Sequence, residues 1–352
     1  MVSVVIPVYR TEDFLEDCVA SVLEQDYENL EILLVDDGSP DGCPALCDRY
    51  AEACERVRVF HQENQGAGAA RNTGLREAGG EFVLFLDSDD LLNGPGTVGK
   101  LMDAALGEQA DVAAGSYRRF QGERFGPVNR HHLRGGAYAE TADFRLRAFL
   151  TEGHLIWDWG KVYRKAFLLQ NELWCGTQLY MEDKLRNMML CACEPRYAFV
   201  DDCVNLYRIR PESITRQRRD HALMRDWIYV AETFRRYLDG RPERFEDLLA
   251  FHVFSGIFTI GRQPLEKGAG GCRESAALLR EYGKNELVRR MARALARGKY
   301  LKGVRSPAWR GLVRAGSLLF CLRAYRLTAL GILLLRGLGT ERKESRLRSG
   351  EP

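Results

Sequence analysis

Apolar and polar positions in the first ninety residues alternate between short solid runs and stretches with helical spacing. Residues 2–6 are apolar and largely β-branched, reading as a strand that Pro7 stops. Tyr9 and Arg10 turn the chain. Thr11 then stands as an N-cap with Glu12 and Asp13 in the first turn, and Phe14, Leu15, Cys18, Val19, Val22 and Leu23 follow on one helical face. The pattern next predicts strands at 32–35, 57–61 and 82–86, with helices over 45–54 and 69–78. This βαβαβ order predicts an α/β fold with a mostly parallel sheet flanked by helices, since right-handed crossovers bring successive strands side by side. Beyond it the spacing predicts a helix at 97–106, a strand at 111–117 and a helix at 141–150. Residues 118–140, rich in Arg, Gly and His, have no periodicity and read as a loop. Helices are expected over 225–238, 245–260 and 287–296. The resulting division is 1–215 (two halves, 1–95 and 96–215), a helical extension 216–288, and a tail 289–352.

Charge sharpens the division. The formal net charge of the 352 residues is only +2, yet residues 289–352 hold 16 Lys or Arg against 3 acids. A basic tail on an acidic body points to an anionic partner. Residues 309–338 mix apolar runs with Arg310, Arg314, Arg323, Arg326 and Arg336, and the run 327–335 is too short to span a bilayer. The favoured expectation is a basic amphipathic segment lying in an anionic membrane interface; the alternative is a helix packed on the body with its basic face in solvent. A chain ending near residue 285 is then expected to stay soluble and keep any site built within residues 2–215. Nucleic acid is disfavoured, because no aromatic and basic interleaving accompanies a recognised nucleic-acid fold. The ten cysteines form no CxxC pair, and the first residues lead directly into a strand. The expected setting is cytoplasmic with reduced thiols, peripheral on the inner face of the membrane.

The chemistry gathers at strand ends. Phe82-Val83-Leu84-Phe85-Leu86 runs straight into Asp87-Ser88-Asp89-Asp90. Open α/β sheets bind ligands at that edge. Asp87 and Asp89, two apart, can converge on one Mg²⁺ or Mn²⁺ that substrate phosphates also hold; the plainer reading is a helix N-cap. The strand at 32–35 likewise ends in Asp36-Asp37-Gly38-Ser39. Gly66-x-Gly68 does not make a dinucleotide fingerprint, because the first strand turns through Pro7-Val8-Tyr9-Arg10 with no glycine; the two glycines are expected to let a loop pass close to a ligand. Arg71 is either a solvated cation or a partner for phosphate or carboxylate. Trp157 and Trp159 fit core packing or an acceptor sugar face, and His154 reads as a satisfied histidine. Glu182 and Asp183 open a helix, where they suit the dipole or aim a general base into a cleft.

Taken together, Val4-Val5-Ile6-Pro7-Val8-Tyr9, Val35-Asp36-Asp37-Gly38-Ser39, Asn64-x-Gly66 with Ala70-Arg71-Asn72-Thr73-Gly74, Leu86-Asp87-Ser88-Asp89-Asp90, Glu182-Asp183 and Tyr207-Arg208-x-Arg210-x-x-Ser213-Ile214-Thr215 resemble the inverting family-2 glycosyltransferases of the GT-A fold. The resemblance covers residues 2–215. It implies a nucleotide-sugar donor, usually a UDP-sugar, and a glycan or lipid-linked acceptor of bacterial cell-surface polysaccharide. It also implies that Pro7, Val8 and Tyr9 line the nucleotide, that Asp37 accepts from the base, and that Arg71 lies near the nucleotide. Asp87-Ser88-Asp89 matches the DxD motif, with Asp89 the main ligand of Mn²⁺ or Mg²⁺. Asp183 matches the catalytic base, and the Arg-rich motif a loop closing over the diphosphate. One departure is Arg10, where the family usually has Asn. Two other classes share features with this chain: a non-catalytic sugar-nucleotide-binding scaffold, and a nucleotidyltransferase, which would release pyrophosphate.

Overall fold

The computed structural model describes residues 1–131, 133, 141–151, 155–176, 180–210 and 220–337. The chain divides into two compact units, Met1–Tyr138 with His154–Ile214, and Ala139–Gly153 with Thr215–Pro352. The expectations for His154, for Ser213-Ile214-Thr215, for residues 134–140 and for the tail beyond Gly337 lie outside the described residues.

The first unit is built on one sheet. In chain order its early elements are β1 (Val2–Val8), α1 (Glu12–Leu23), β2 (Leu30–Asp36), α2 (Cys43–Ala53), β3 (Val57–His61), α3 (Ala67–Glu77), β4 (Phe82–Phe85), β5 (Leu91–Leu92) and α4 (Thr97–Gly107). Then come β6 (Val112–Gln121), β7 (Arg124–Asn129), α5 (Ala142–Leu146, in the second unit), β8 (Lys161–Arg164), α6 (Lys165–Gln170), α7 (Glu182–Ala192) and β9 (Tyr197–Arg208). The strand order is β3-β2-β1-β4-β8-β6-β9-β5, with β7 added beside β6. β3, β2, β1 and β4 run parallel. β8 joins antiparallel to β4 and β6, while β9 pairs parallel with β6 and antiparallel with β5. The expected α/β class is found.

Every residue of β1 and β4 is buried, as strands covered on both faces require. α1 packs its Leu15, Cys18, Val19 and Val22 against this core. Pro7 does not stop β1. The strand reaches Val8 because β4 pairs only as far as Val5↔Phe85, so the imide lacks a donor where no β4 acceptor awaits it. Thr11 precedes α1 without capping it; its hydroxyl donates instead to Ser88 Oγ at 3.0 Å. Residues 118–129 are not a loop. β6 continues through them and folds back as β7, with Arg118 over the Phe125 ring and Phe120 stacked on Phe125. The aromatic content of this stretch carried the strand signal that its charge obscured.

The second unit is helical: α5, α8 (Asp220–Tyr237), α9 (Glu246–Arg262), α10 (Cys272–Tyr282), α11 (Glu286–Ala296), α12 (Pro307–Cys321) and α13 (Tyr325–Gly337). α9 is buried on nearly all sides, and α8, α10, α11 and α13 pack on it. Arg145 on α5 meets Asp247 of α9 with three bonds, Nε to Oδ1 at 2.9 Å and to Oδ2 at 3.1 Å, and Nη2 to Oδ2 at 2.8 Å. Asn285 and Ser306 cap α11 and α12 by accepting from the amides of Val288 and Trp309. No helix among the described residues is long and apolar enough to cross a membrane.

Candidate active site

The strand order reverses direction at β1, with β2 on one side and β4 on the other, and the predicted residues collect at the C-terminal ends of these strands. Pro7 and Val8 end β1, and Tyr9 follows, exposed, with the Arg10 guanidinium 5.4 Å from its ring centre. Arg10 has φ 54, a left-handed backbone. Asn enters that region with less strain than other side chains, which gives the departure at this position a physical reading.

Asp37 is buried and holds the loop after β3. Its carboxylate accepts from Gln62 Nε2 (2.7 Å), the Gln65 amide (3.0 Å) and the Gly66 amide (2.8 Å). Asp36 turns away and is bonded by His61 Nδ1 at 2.8 Å. Gly66 has φ 90, which suits the turn into α3. Gly68 serves close approach to protein: a Cβ there would stand 2.4 Å from the Gly176 carbonyl oxygen.

The chain after β4 does not start a helix. Asp87 to Asp90 form a turn, closed by the Asp90 amide on the Asp87 carbonyl at 2.9 Å, and the two-residue strand β5 follows. The N-cap reading of these acids is therefore set aside. Arginines compensate the turn. Arg71 Nη2 lies 2.7 Å from Asp87 Oδ1, and Arg210 Nε lies 2.7 Å from Asp89 Oδ2. Arg208 donates from Nε to the Asp89 carbonyl (2.8 Å) and pairs with Asp17 (3.0 Å). Arg208 and Arg210, two apart, share one side of the chain, and both guanidinium groups lie 5.1 Å from the Phe14 ring centre. Asp90 is fully buried and accepts from the Arg208 amide and from Asn205. Burial together with the charges of Asp89 and Asp87 pushes its carboxyl well above the usual range; burial raises Asp89 too, against the pull of Arg210.

Arg71 is no solvated cation. Its side chain is 6% exposed, and besides Asp87 it meets Glu182 Oε1 at 2.7 Å, with Asp158 at 3.9 Å from Nε. One guanidinium thus ties the end of β4 to the start of α7. At that start Met181 has φ 66, a left-handed backbone that a side chain adopts at a cost, and it sets Glu182 and Asp183 in the first turn. Burial, then the charges of Glu182 and Asp158, push the Asp183 carboxyl well up. Beneath α7, buried Asp158 pairs with Arg186 (2.6 Å) and accepts from Asn187 Nδ2 (2.7 Å), while that same amide nitrogen donates to the Asp183 carbonyl at 2.9 Å. Lys161, fully buried, donates to Asn187 Oδ1 and the Leu155 carbonyl, both at 3.2 Å. Burial holds its pKa down to about 7.

Sequence reasoning missed Asp158 and its partners Arg186, Asn187 and Lys161. The available signal was a carboxylate enclosed by two tryptophans, which asks for a buried cation. Trp157 and Trp159 stack with ring centres 4.8 Å apart, and both meet Tyr117 edge-on. Trp159 is buried and Trp157 half-buried. Among the described residues no three His, Cys, Asp or Glu side chains are gathered as a metal cage.

The Glycosyl transferase family 2 profile matches residues 3–168 of this chain. The chain is also 32% identical over 244 residues to the glycosyltransferase GlyG of Streptococcus pneumoniae, a match covering 65% of this chain and 78% of GlyG. The chain belongs to glycosyl transferase family 2. The glycosyltransferase GlyA of the same organism is 32% identical over 234 residues, which are 63% of this chain but only 33% of GlyA, so the likeness there is to about a third of a longer protein. In structure the chain is similar to S. aureus TarS residues 1–349, solved in complex with UDP-GlcNAc, at a TM-score of 0.70 and 20% identity, covering 96% of this chain and 92% of the other. That likeness shows the GT-A fold.

Proposed function

We propose that this chain transfers a sugar from a nucleotide-sugar, a UDP-sugar, to an acceptor hydroxyl with inversion at the anomeric carbon. One observation carries the reading: Arg71 joins Asp87, at the end of β4, to Glu182, the neighbour of Asp183 at the start of α7. TarS, which shares the fold, was solved with UDP-GlcNAc, which supports a UDP-sugar donor. Pro7, Val8 and Tyr9 would line the nucleotide, with Asp37 and Arg71 close by. Asp183 takes the proton of the acceptor hydroxyl, and its raised pKa strengthens it as a base. The acceptor oxygen attacks C1 from the face opposite the diphosphate, the C1–O bond to the diphosphate breaks, and its electron pair leaves with the nucleoside diphosphate. Asp87 and Asp89 fit a hard divalent cation, Mn²⁺ or Mg²⁺, as hard oxygen donors crowded closely enough that burial and mutual charge raise Asp89. Such an ion would neutralise charge developing on the leaving diphosphate. Ser88 supports the turn between them through Thr11.

The acceptor in this reading is a glycan or lipid-linked glycan of the cell envelope, reached at the cytoplasmic face of an anionic membrane through residues 289–352. A screen of UDP-, GDP- and dTDP-sugars by thermal stabilisation, with Mn²⁺ and with EDTA, identifies the donor. NMR of the product's anomeric configuration then tests inversion. Nucleoside diphosphate as the released product supports the transferase; pyrophosphate would mark a nucleotidyltransferase, and binding without turnover a scaffold.

A further inference from the structure

Two helices of the second unit carry an exposed face with no protein partner among the described residues. On α13, Leu327, Leu330 and Leu334 are 57%, 43% and 68% exposed, and with Arg326 they fall within an arc of about 100°, at 100° per residue. The opposite arc holds buried Tyr325, Thr328, Ala329 and Ile332. α12 repeats the arrangement: Arg310, Arg314, Leu318 and Leu322 are exposed, the last two by 50% and 67%, while Trp309, Val313, Ser317 and Phe320 are buried. Five of the large exposed apolar side chains therefore stand within 17 residues of one another. Charge around them has one sign. Residues 287–337 contain twelve Lys or Arg and no acid. Lys299 and Arg305 are paired, with Glu243 and Asp143. Exposed Arg290, Arg293, Arg297, Arg310, Arg314, Arg323 and Arg326 have no carboxylate partner among the described residues. α11 packs along α12, where Arg314 Nε donates to the Ala296 carbonyl at 3.4 Å, so the arginines of both helices belong to one surface.

We infer that the α12–α13 face is a docking surface for an anionic lipid bilayer, its leucines entering the acyl boundary and its arginines meeting headgroup phosphates. This deepens the membrane part of the reading above and stands apart from the donor chemistry. Leucines flanked by arginines, whose stems follow apolar surface while their heads stay in the polar layer, suit a helix lying in an interface. A second copy of this chain fits poorly, because a two-fold contact would set the arginines against one another. Residues 338–352 include two leucines and no other large apolar side chain, too little to cover five leucines.

The test is co-sedimentation of the full chain with phosphatidylcholine vesicles, with and without a quarter phosphatidylglycerol, at low and high salt. Wild type is expected to pellet with the anionic vesicles, keeping a part of its binding at high salt through the leucines. Leu322→Asp/Leu327→Asp/Leu334→Asp should remove that salt-resistant part. Arg323→Gln/Arg326→Gln should lower partition at low salt by on the order of tenfold and change little at high salt. All five side chains are exposed, and circular dichroism melts confirm that each variant folds; either set alone keeps the idea testable. Wild type left in the supernatant at low salt, or both variants binding like wild type, overturns it. So does a concentration-dependent dimer in light scattering that the leucine changes abolish. UDP binding, read as thermal stabilisation in the same samples, separates the two readings: no vesicle binding with UDP binding intact sinks this inference and the membrane part of the reading above, and the converse sinks the donor reading alone.

Discussion

A guanidinium that is 6% exposed and faces Asp87, Glu182 and Asp158 is a structural counter-ion as much as a ligand-facing group. Removing one partner of a buried ion cluster costs more than the cluster contributes, because the remaining charges stay buried. Arg71→Met should therefore destabilise the chain by about 3–5 kcal/mol, read by chemical denaturation. Arg71→Lys should recover little, since an ammonium cannot reach three carboxylates from one planar fork. An Arg71→Met protein melting like wild type would remove Arg71 from this role. For Asp183, the Asn variant keeps size and loses the proton acceptor, so transfer should fall roughly 10²–10⁴-fold while donor binding persists. A nearly normal rate would make Glu182 or another group the base. In wild type the raised pKa of Asp183 has a sign that can be checked. The carboxyl is charged only above its elevated pKa, so transfer should fall on acidification at a pH above that of an ordinary carboxylate, about 4. A pH–rate profile that stays flat down to the ordinary carboxylate range would contradict this.

Among the described residues of the first unit five non-glycine positions have left-handed backbones; Gln109, Glu172 and Glu194 follow the ends of helices, and the other two lie at the site. Arg10 and Met181 have left-handed backbones, the first at the turn after β1 and the second just before α7. Arg10→Asn should stabilise the chain by about 0.5–1 kcal/mol, because Arg10 is exposed and its amide bond to Ser39 Oγ needs no arginine. A melting temperature at or below wild type would show that its cation contact with Tyr9 outweighs the strain. Local pattern also explains what was legible in the sequence. β1, β2 and β4 are apolar runs buried on both faces, and carboxylates at their ends stand out against such runs. β7 was hidden because Gly126 and Pro127 interrupt its short run, and β5 because two leucines make no pattern. Asp158 was hidden for another reason. Its partners Arg71 and Arg186 come from α3 and α7, far away in the chain, and a single sequence does not pair them.

At the scale of the molecule the second unit is closed by its last helices. Val288, Met291, Ala292 and Leu295 of α11 are buried, Trp309 of α12 meets Phe254 of α9 edge-on, and Phe320 stands between Tyr282 and Tyr325. The basic stretch is thus two-sided, a packing element by its inner arc and an exposed basic and apolar face by its outer one. The two readings of the tail weighed from sequence are compatible here, because a helix needs only part of its circumference for packing. A chain ending near residue 285, which the sequence pattern suggests as a soluble core, would instead strip α11 and α13 from α9 and remove the buried Met291, Leu295, Trp309, Phe320 and Ile332. Losing several side chains of this size, each contributing about 1.5–3 kcal/mol by burial, exceeds what a domain's net stability can absorb. The 1–285 chain is expected to bind a hydrophobic dye, to be cut by protease within α9, and to aggregate, while the leucine and arginine variants of the outer face leave the melting curve unchanged. If the shortened chain resists protease within α9 as the full chain does, the inner arc contributes no closure, and residues 286–337 are an appendage of the second unit.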